Sequence, residues 1–167
     1  MNIFYLDIDT HKCAQYHHDV HLRKMIVEYA QLLSTAHHIC PITYAEQIYK
    51  PTHANHPCAL WVKKYTENYL YLFDLFQECL KEYEFRFGKE HKTKKLLLAL
   101  RMQPLMSVHG NLGKLRPPPL CMPDQFKEDD HIQAYRKFYK AEKMFDKNGK
   151  PMDKWTSRPR PYWLDVA

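Results

Sequence analysis

Residues 57–88, PCALWVKKYTENYLYLFDLFQECLKEYEFRFG, decide the fold class. Cys58, Trp61, Val62, Tyr65, Tyr69, Leu72, Phe73, Phe76, Leu80, Tyr83 and Phe87 recur at three- and four-residue steps, which puts them on one side of an α-helix. Thr52-His53-Ala54-Asn55-His56 supplies a polar cap ahead of it, and Pro57 suits a first helical turn. Gly88 can close the helix in the left-handed conformation. The pattern predicts one helix of about 30 residues, the central pillar of the fold.

Upstream, Leu22, Met25, Ile26, Tyr29, Leu32, Leu33 and Ala36 predict a second amphipathic helix from about His17 to His37, stopped by Pro41. Ile42 to Pro51 reads as a loop, and Met1–Asp9 as either one short strand or an extended arm. Downstream, Lys89–Arg101 is expected to be helical. Met102–Met122, with Pro104, Gly110, Gly113 and Pro117-Pro118-Pro119, is expected to be a long extended loop. A further helix runs from Asp129 to about Phe145, with Ile132, Tyr135, Phe138 and Tyr139 on one side. The tail from Trp155 to Trp163 lies against the body. The expectation is a mainly α, single compact domain over residues 1–167, with about four main helices around the long central one.

The chain has 167 residues, 45% of them apolar, and a formal charge of +6. The charge is uneven. Residues 1–56 hold four basic and five acidic side chains but eight of the eleven histidines, while the remainder holds 21 basic against 14 acidic. Such a balance suggests an anionic partner, nucleic acid first. No apolar run approaches the roughly 18 residues of a membrane span. The N-terminus has acids where a signal peptide has basic residues, so a cytoplasmic protein is expected. Cys13, Cys40, Cys58, Cys79 and Cys121 form no C-x-x-C pair, which makes a disulfide framework or a thiolate zinc site a poor fit.

At 100° per residue, His17, His21, Lys24 and Glu28 fall within about 60° of one another on the upstream helix, a polar stripe suited to proton transfer or to a charged substrate. Asp19 and Arg23 lie elsewhere on that helix. His53, Asn55 and His56 stand where unpaired helix-start amides favour an anion, so a phosphate site is expected there. His17 with His21, or His53 with His56, has metal-ligand spacing without an H-E-x-x-H pattern. Arg86, Lys89, Lys92, Lys94, Lys95 and Arg101 form one basic run. A second runs from Arg136 to Arg160, with Trp155, Tyr162 and Trp163 as candidate base-stacking rings. No Gly-rich phosphate loop and no G-x-S-x-G occurs, which removes kinase, dinucleotide-binding and α/β-hydrolase readings.

The segments CAQYHHDVHLRKM, YKPTHANHPCALW, FGKEHK, MPDQFK, AYRKFY and the terminal W-x-x-R resemble a family of small uncharacterised bacteriophage proteins. More distantly, their order is similar to the phage pyrimidine-dimer DNA glycosylases of the endonuclease V type. Ala14, His17 and Arg23 match that family's first long helix, and His56 with Trp61 its central-helix opening. Met122 to Lys127 and Arg158 to Trp163 match its later segments. The resemblance implies excision of a base by base flipping, with an amine attacking C1′ and a carboxylate steadying the developing charge. His21 occupies the place of the family's catalytic glutamate, and Asn2 is large where that family has a small residue whose α-amine is the nucleophile. Lys24, with Glu28 or Asp19 as the carboxylate, is then the internal candidate.

The first expectation is therefore a DNA glycosylase, with possible AP-lyase activity, acting on damaged or modified double-stranded DNA. It needs no cofactor, no resident metal, no membrane and no obligatory protein partner. Its catalytic candidates are His17, Asp19, His21, Lys24 and Glu28. Substrate would be held by Arg23, His53, Asn55, His56, Lys89, Lys92, Lys94, Arg158 and Arg160. Two rivals remain open: a metal-dependent nuclease or phosphohydrolase using the histidines, and a non-enzymatic phage protein binding a nucleotide or nucleic acid.

Overall fold

The computed structural model describes residues 1–38, 45–102 and 114–165. The helices are α1 (Thr10–Tyr16), α2 (Asp19–His37), α3 (Pro57–Lys64), α4 (Thr66–Phe87), α5 (Leu97–Arg101) and α6 (His131–Glu142). Single 3₁₀ turns at Ala45–Gln47, Lys92–Leu96, Asp124–Phe126 and Tyr162–Leu164 punctuate the connections. Among the described residues the only β-type pairing is one isolated bridge between Phe145 and Pro151. The mainly α expectation holds. No described helix is long and apolar enough to cross a membrane. Residues 39–44 and the middle of the expected Pro-rich loop, 103–113, lie outside the described residues.

α4 is the centre, packed on α1, α2 and α3. The expected 30-residue pillar is two helices, because Tyr65 is extended at φ −139°, ψ 146°. The apolar period runs through the break because both halves bury their faces in the same core. Asn68, fully buried, donates from Nδ2 to the Trp61 carbonyl at 2.8 Å and so satisfies a group the break sets free.

Three other boundaries differ from expectation. The upstream helix begins at Asp19, since Asp9 caps a separate α1 that ends on the extended residue His17. Lys89–Arg101 is a 3₁₀ turn followed by the five-residue α5, and the last long helix is confined to His131–Glu142 by the Asp130 cap and by Lys143. His18 and His56 cap α2 and α3, each accepting a backbone N–H on its side chain.

Met1–Asp9 is an arm, not a strand. Ile3, Phe4, Tyr5 and Leu6 are all buried in succession, so it threads the core instead of alternating across a surface. Side chains take the place of sheet partners: the Phe4 amide donates to the Tyr29 hydroxyl, Cys13 Sγ donates to the Phe4 carbonyl, and Arg136 Nε donates to the Leu6 carbonyl at 2.8 Å.

Gly88 ends α4 at φ +62°, its N–H on the Glu84 carbonyl at 2.9 Å. A Cβ there meets nothing within 4 Å, so only backbone conformation opposes a side chain. Gly88→Ala is expected to cost about 1 kcal/mol, read as a shift of the urea midpoint at unchanged slope.

Candidate functional site

The polar stripe expected on the upstream helix divides in two. His17 and His21 turn into the core, at 0% and 5% exposure, and stack on each other at 5.2 Å. His17 Nδ1 donates to the Cys13 carbonyl at 2.8 Å, so its Nε2 accepts from the Tyr29 hydroxyl at 3.1 Å. That imidazole is neutral and satisfied on both sides, and burial pushes its pKa down to about 3. His21 Nδ1 shares a hydrogen bond with the Tyr139 hydroxyl at 3.0 Å, and its ring meets Phe4 edge-on at 4.5 Å. Burial, then the neighbouring His17 and His18, holds it well below its ordinary value. His18 is pushed down by burial to about 4, against the pull of a hydrogen bond with the Lys143 backbone. These rings hold the arm, α2 and α6 together; none presents a proton to a substrate at neutral pH.

Asp19 is likewise interior. It pairs with Arg86, whose side chain is wholly buried and also bonds Glu82 at 2.6 Å, the His17 carbonyl at 2.8 Å and the Gln15 carbonyl at 2.8 Å. The tail latches onto this hub: Thr156 Oγ1 donates to Asp19 at 2.6 Å, and Arg158 grips Glu82 through Nε and Nη2 at 3.0 and 2.9 Å. Burial alone would raise the Asp19 carboxyl, but Thr156 and Arg86 outweigh it and hold it below its usual range. Glu82 is held down in the same way by Arg158 and Arg86 against burial.

The outer part of the stripe remains at the surface. Lys24 lies 3.4 Å from Glu28, the ordinary (i, i+4) pairing. Two groups from elsewhere feel their charge. Half-buried Lys143, just past α6, lies over the Phe138 ring at 4.9 Å. Burial and then the charge of Lys24 pull its ammonium below the ordinary value, against Glu142 and Glu28. His56, half-buried at the start of α3, also feels Glu28, while burial, the amino terminus and His53 lower its pKa. One carboxylate from α2 thus acts on both an amine and an imidazole distant in sequence. Beside His56, Cys58 Sγ lies 3.7 Å from Cys121 Sγ. The Cys58 hydrogen bond draws the Cys121 thiol down to about 7, while Cys58 is raised by that same bond and by burial.

The expected phosphate group is open on one side. His53 and Asn55 are exposed, His53 with φ +48°, and Lys63 Nζ ties the turn through the Ala54 carbonyl at 2.9 Å. The His56 side chain takes the Cys58 amide of the helix start. Of the basic candidates, Arg23 covers the Phe87 ring at 5.0 Å, Lys94 pairs with Glu84 and Glu90, and Arg160 lies 3.6 Å from Asp165. Arg158 and Arg86 are structural rather than free to grip phosphate. Lys89 and Lys92 are exposed at a cleft of about 450 Å³ shared with Tyr49, Tyr83 and His91. Trp155 and Trp163 are buried, and only Tyr162, at 63% exposure, offers a ring to solvent.

Sequence reading missed Lys143, Glu82 and the Cys58–Cys121 approach, and it placed Arg86 in a surface basic run when its side chain is buried on Asp19 and Glu82. Glu82 and Arg86 carry a readable signal: at (i, i+4) they lie in line with Leu75 and Cys79 on a buried face of α4. Nothing local marks Lys143 or the Cys58–Cys121 approach. No protein-family model matches the chain, and neither a curated protein nor a solved structure matches it.

Proposed function

We propose that this chain is a DNA-processing enzyme that excises an altered base and then opens the strand, a glycosylase with lyase activity. The observation that carries the reading is Lys143, an amine half-buried over Phe138 and depressed by burial, which feels the charge of Lys24 and of Glu28, the carboxylate that also acts on His56. A lysine in such a place is unprotonated more often than a solvated one, which is what nucleophilic attack on a sugar requires. Nζ of Lys143 bonds to C1′ as the bond from C1′ to the base nitrogen breaks. The base leaves with that electron pair and takes up a proton. Nζ loses a proton and the ring oxygen takes one as the sugar opens to an imine; the C2′ proton then passes to solvent, a C2′–C3′ double bond forms, and the 3′ phosphate leaves with the electron pair of its bond to C3′. Glu28 steadies the positive charge developing at C1′, and His56 donates to the flipped nucleotide. The net positive charge beyond residue 56, with Lys89 and Lys92 in solvent, suits a polyanion.

Borohydride trapping on a duplex with an abasic site tests this. A covalent adduct is expected with the native chain and none with Lys143→Met, which keeps the stem over Phe138. Glu28→Gln is expected to slow adduct formation by about 100-fold. Absence of any adduct, or an adduct undiminished in Lys143→Met, overturns the assignment of the nucleophile.

A further inference from the structure

Cys58 opens α3, and Cys121 lies in the extended segment ahead of the Asp124–Phe126 turn, yet their sulfurs are 3.7 Å apart. A disulfide needs about 2.05 Å, so these thiols are not poised to bond without movement. Two sulfurs about 3.8 Å apart do form one edge of a tetrahedron around zinc, whose Zn–S bonds are about 2.3 Å. His56 adds a nitrogen, and one ligand atom from each of the three residues lies within 4.8 Å of the others. The cluster is built from separate parts of the chain. Asn2 Nδ2 donates to the Cys121 carbonyl at 2.7 Å, and the Tyr135 hydroxyl fixes the same segment through the Pro119 carbonyl at 2.6 Å. Cys13, by contrast, spends its S–H on the Phe4 carbonyl and sits sealed in the core.

We propose that His56, Cys58 and Cys121 form a zinc site with three protein ligands and a fourth position open to water or a substrate atom. Two thiolates and an imidazole are soft donors that select zinc over magnesium or calcium. Each thiol gives its proton to solvent as its sulfur takes the metal. His56 stays neutral and turns over to the ion the lone pair that the Cys58 amide now holds at 3.2 Å. Two thiolates against one dication leave a centre without net charge, which suits a half-buried location. A pairing made in tertiary structure leaves no mark in cysteine spacing. The site shares His56 with the reading of Lys143 but is tested separately: metal uptake is followed by absorption, strand opening by trapping.

The test uses tag-free full-length protein, reduced, stripped of metal and titrated with Co²⁺. About one equivalent is expected to bind, with thiolate-to-cobalt charge-transfer absorption and tetrahedral d–d bands that Zn²⁺ abolishes. Cys121→Ser, at a half-buried position, is expected to keep the helical circular dichroism, to halve the charge-transfer intensity and to weaken zinc at least about 100-fold. His53→Gln, outside the set, is expected to change neither. Absence of a charge-transfer band, or a band undiminished in Cys121→Ser, overturns the proposal. So does ready Cys58–Cys121 disulfide formation by a protein whose reduced form takes up no metal.

Discussion

Acidification from pH 7 to pH 5 is expected to remove about 6–8 kcal/mol of folding stability, comparable to the whole stability of many domains. The source is four buried histidines, His17, His18, His21 and His37. Burial pushes His17 to about 3, and His18 and His37 each to about 4, while His21 lies well below its ordinary value. In the unfolded chain each titrates near 6.5. Between these values the unfolded chain takes up protons that the folded chain refuses. The stability these groups contribute is therefore fully present above pH 6.5 and lost as pH falls toward 4. Each contributes about 1.5–2 kcal/mol over the two units, so the melting temperature is expected to fall by about 12–32 °C. Thermal melts from pH 7.5 to 5 measure it, and His21→Phe, retaining the contact with Phe4, is expected to reduce the slope by one proton's share. A melting temperature flat across this window would show that these rings are charged, or solvated, in the native state.

Arg86→Met is expected to be the most damaging single substitution at neutral pH, costing about 3–5 kcal/mol. The guanidinium is wholly buried and serves Asp19, Glu82 and the carbonyls of His17 and Gln15. Methionine fills the volume but leaves two interior carboxylates without their cation, although Thr156 and Arg158 still hold one each. The acid response separates this effect from simple loss of packing. Asp19 and Glu82 are held below their ordinary values in the native chain, so the stability they contribute is present above about pH 4.5 and lost as pH falls through their folded values. In Arg86→Met the part of that lowering due to Arg86 is lost, and mild acid is expected to close part of the gap between variant and native chain. Urea titrations at pH 7 and pH 4.5 measure the gap, and one that is equal at both values would assign the loss to packing alone.

The helical class, the amphipathic faces of α2 and α4, the Gly88 stop and the Pro57 start follow from the amino-acid sequence by itself, because each depends on neighbours within one or two turns. Helical period also places His17, His21, Lys24 and Glu28 together, but it cannot tell which of them meets solvent. That depends on the reach of Tyr29 and Tyr139, whose hydroxyls turn two imidazoles into satisfied core groups and leave Lys24 and Glu28 outside. A hydrophobicity pattern treats Tyr65 as one more apolar position, and only the packing of α3 against α4 shows the chain extended there. The tertiary structure alone decides that Arg86 and Arg158 spend their charge on Asp19 and Glu82, that Lys143 comes to lie half-buried over Phe138 within the field of Lys24 and Glu28, and that Cys121 meets Cys58 across 63 steps of chain. Local propensity acts over a few residues, whereas desolvation and ion pairing act between whichever groups the fold brings into contact. The helices could therefore be read directly, and the candidate site only once they were packed.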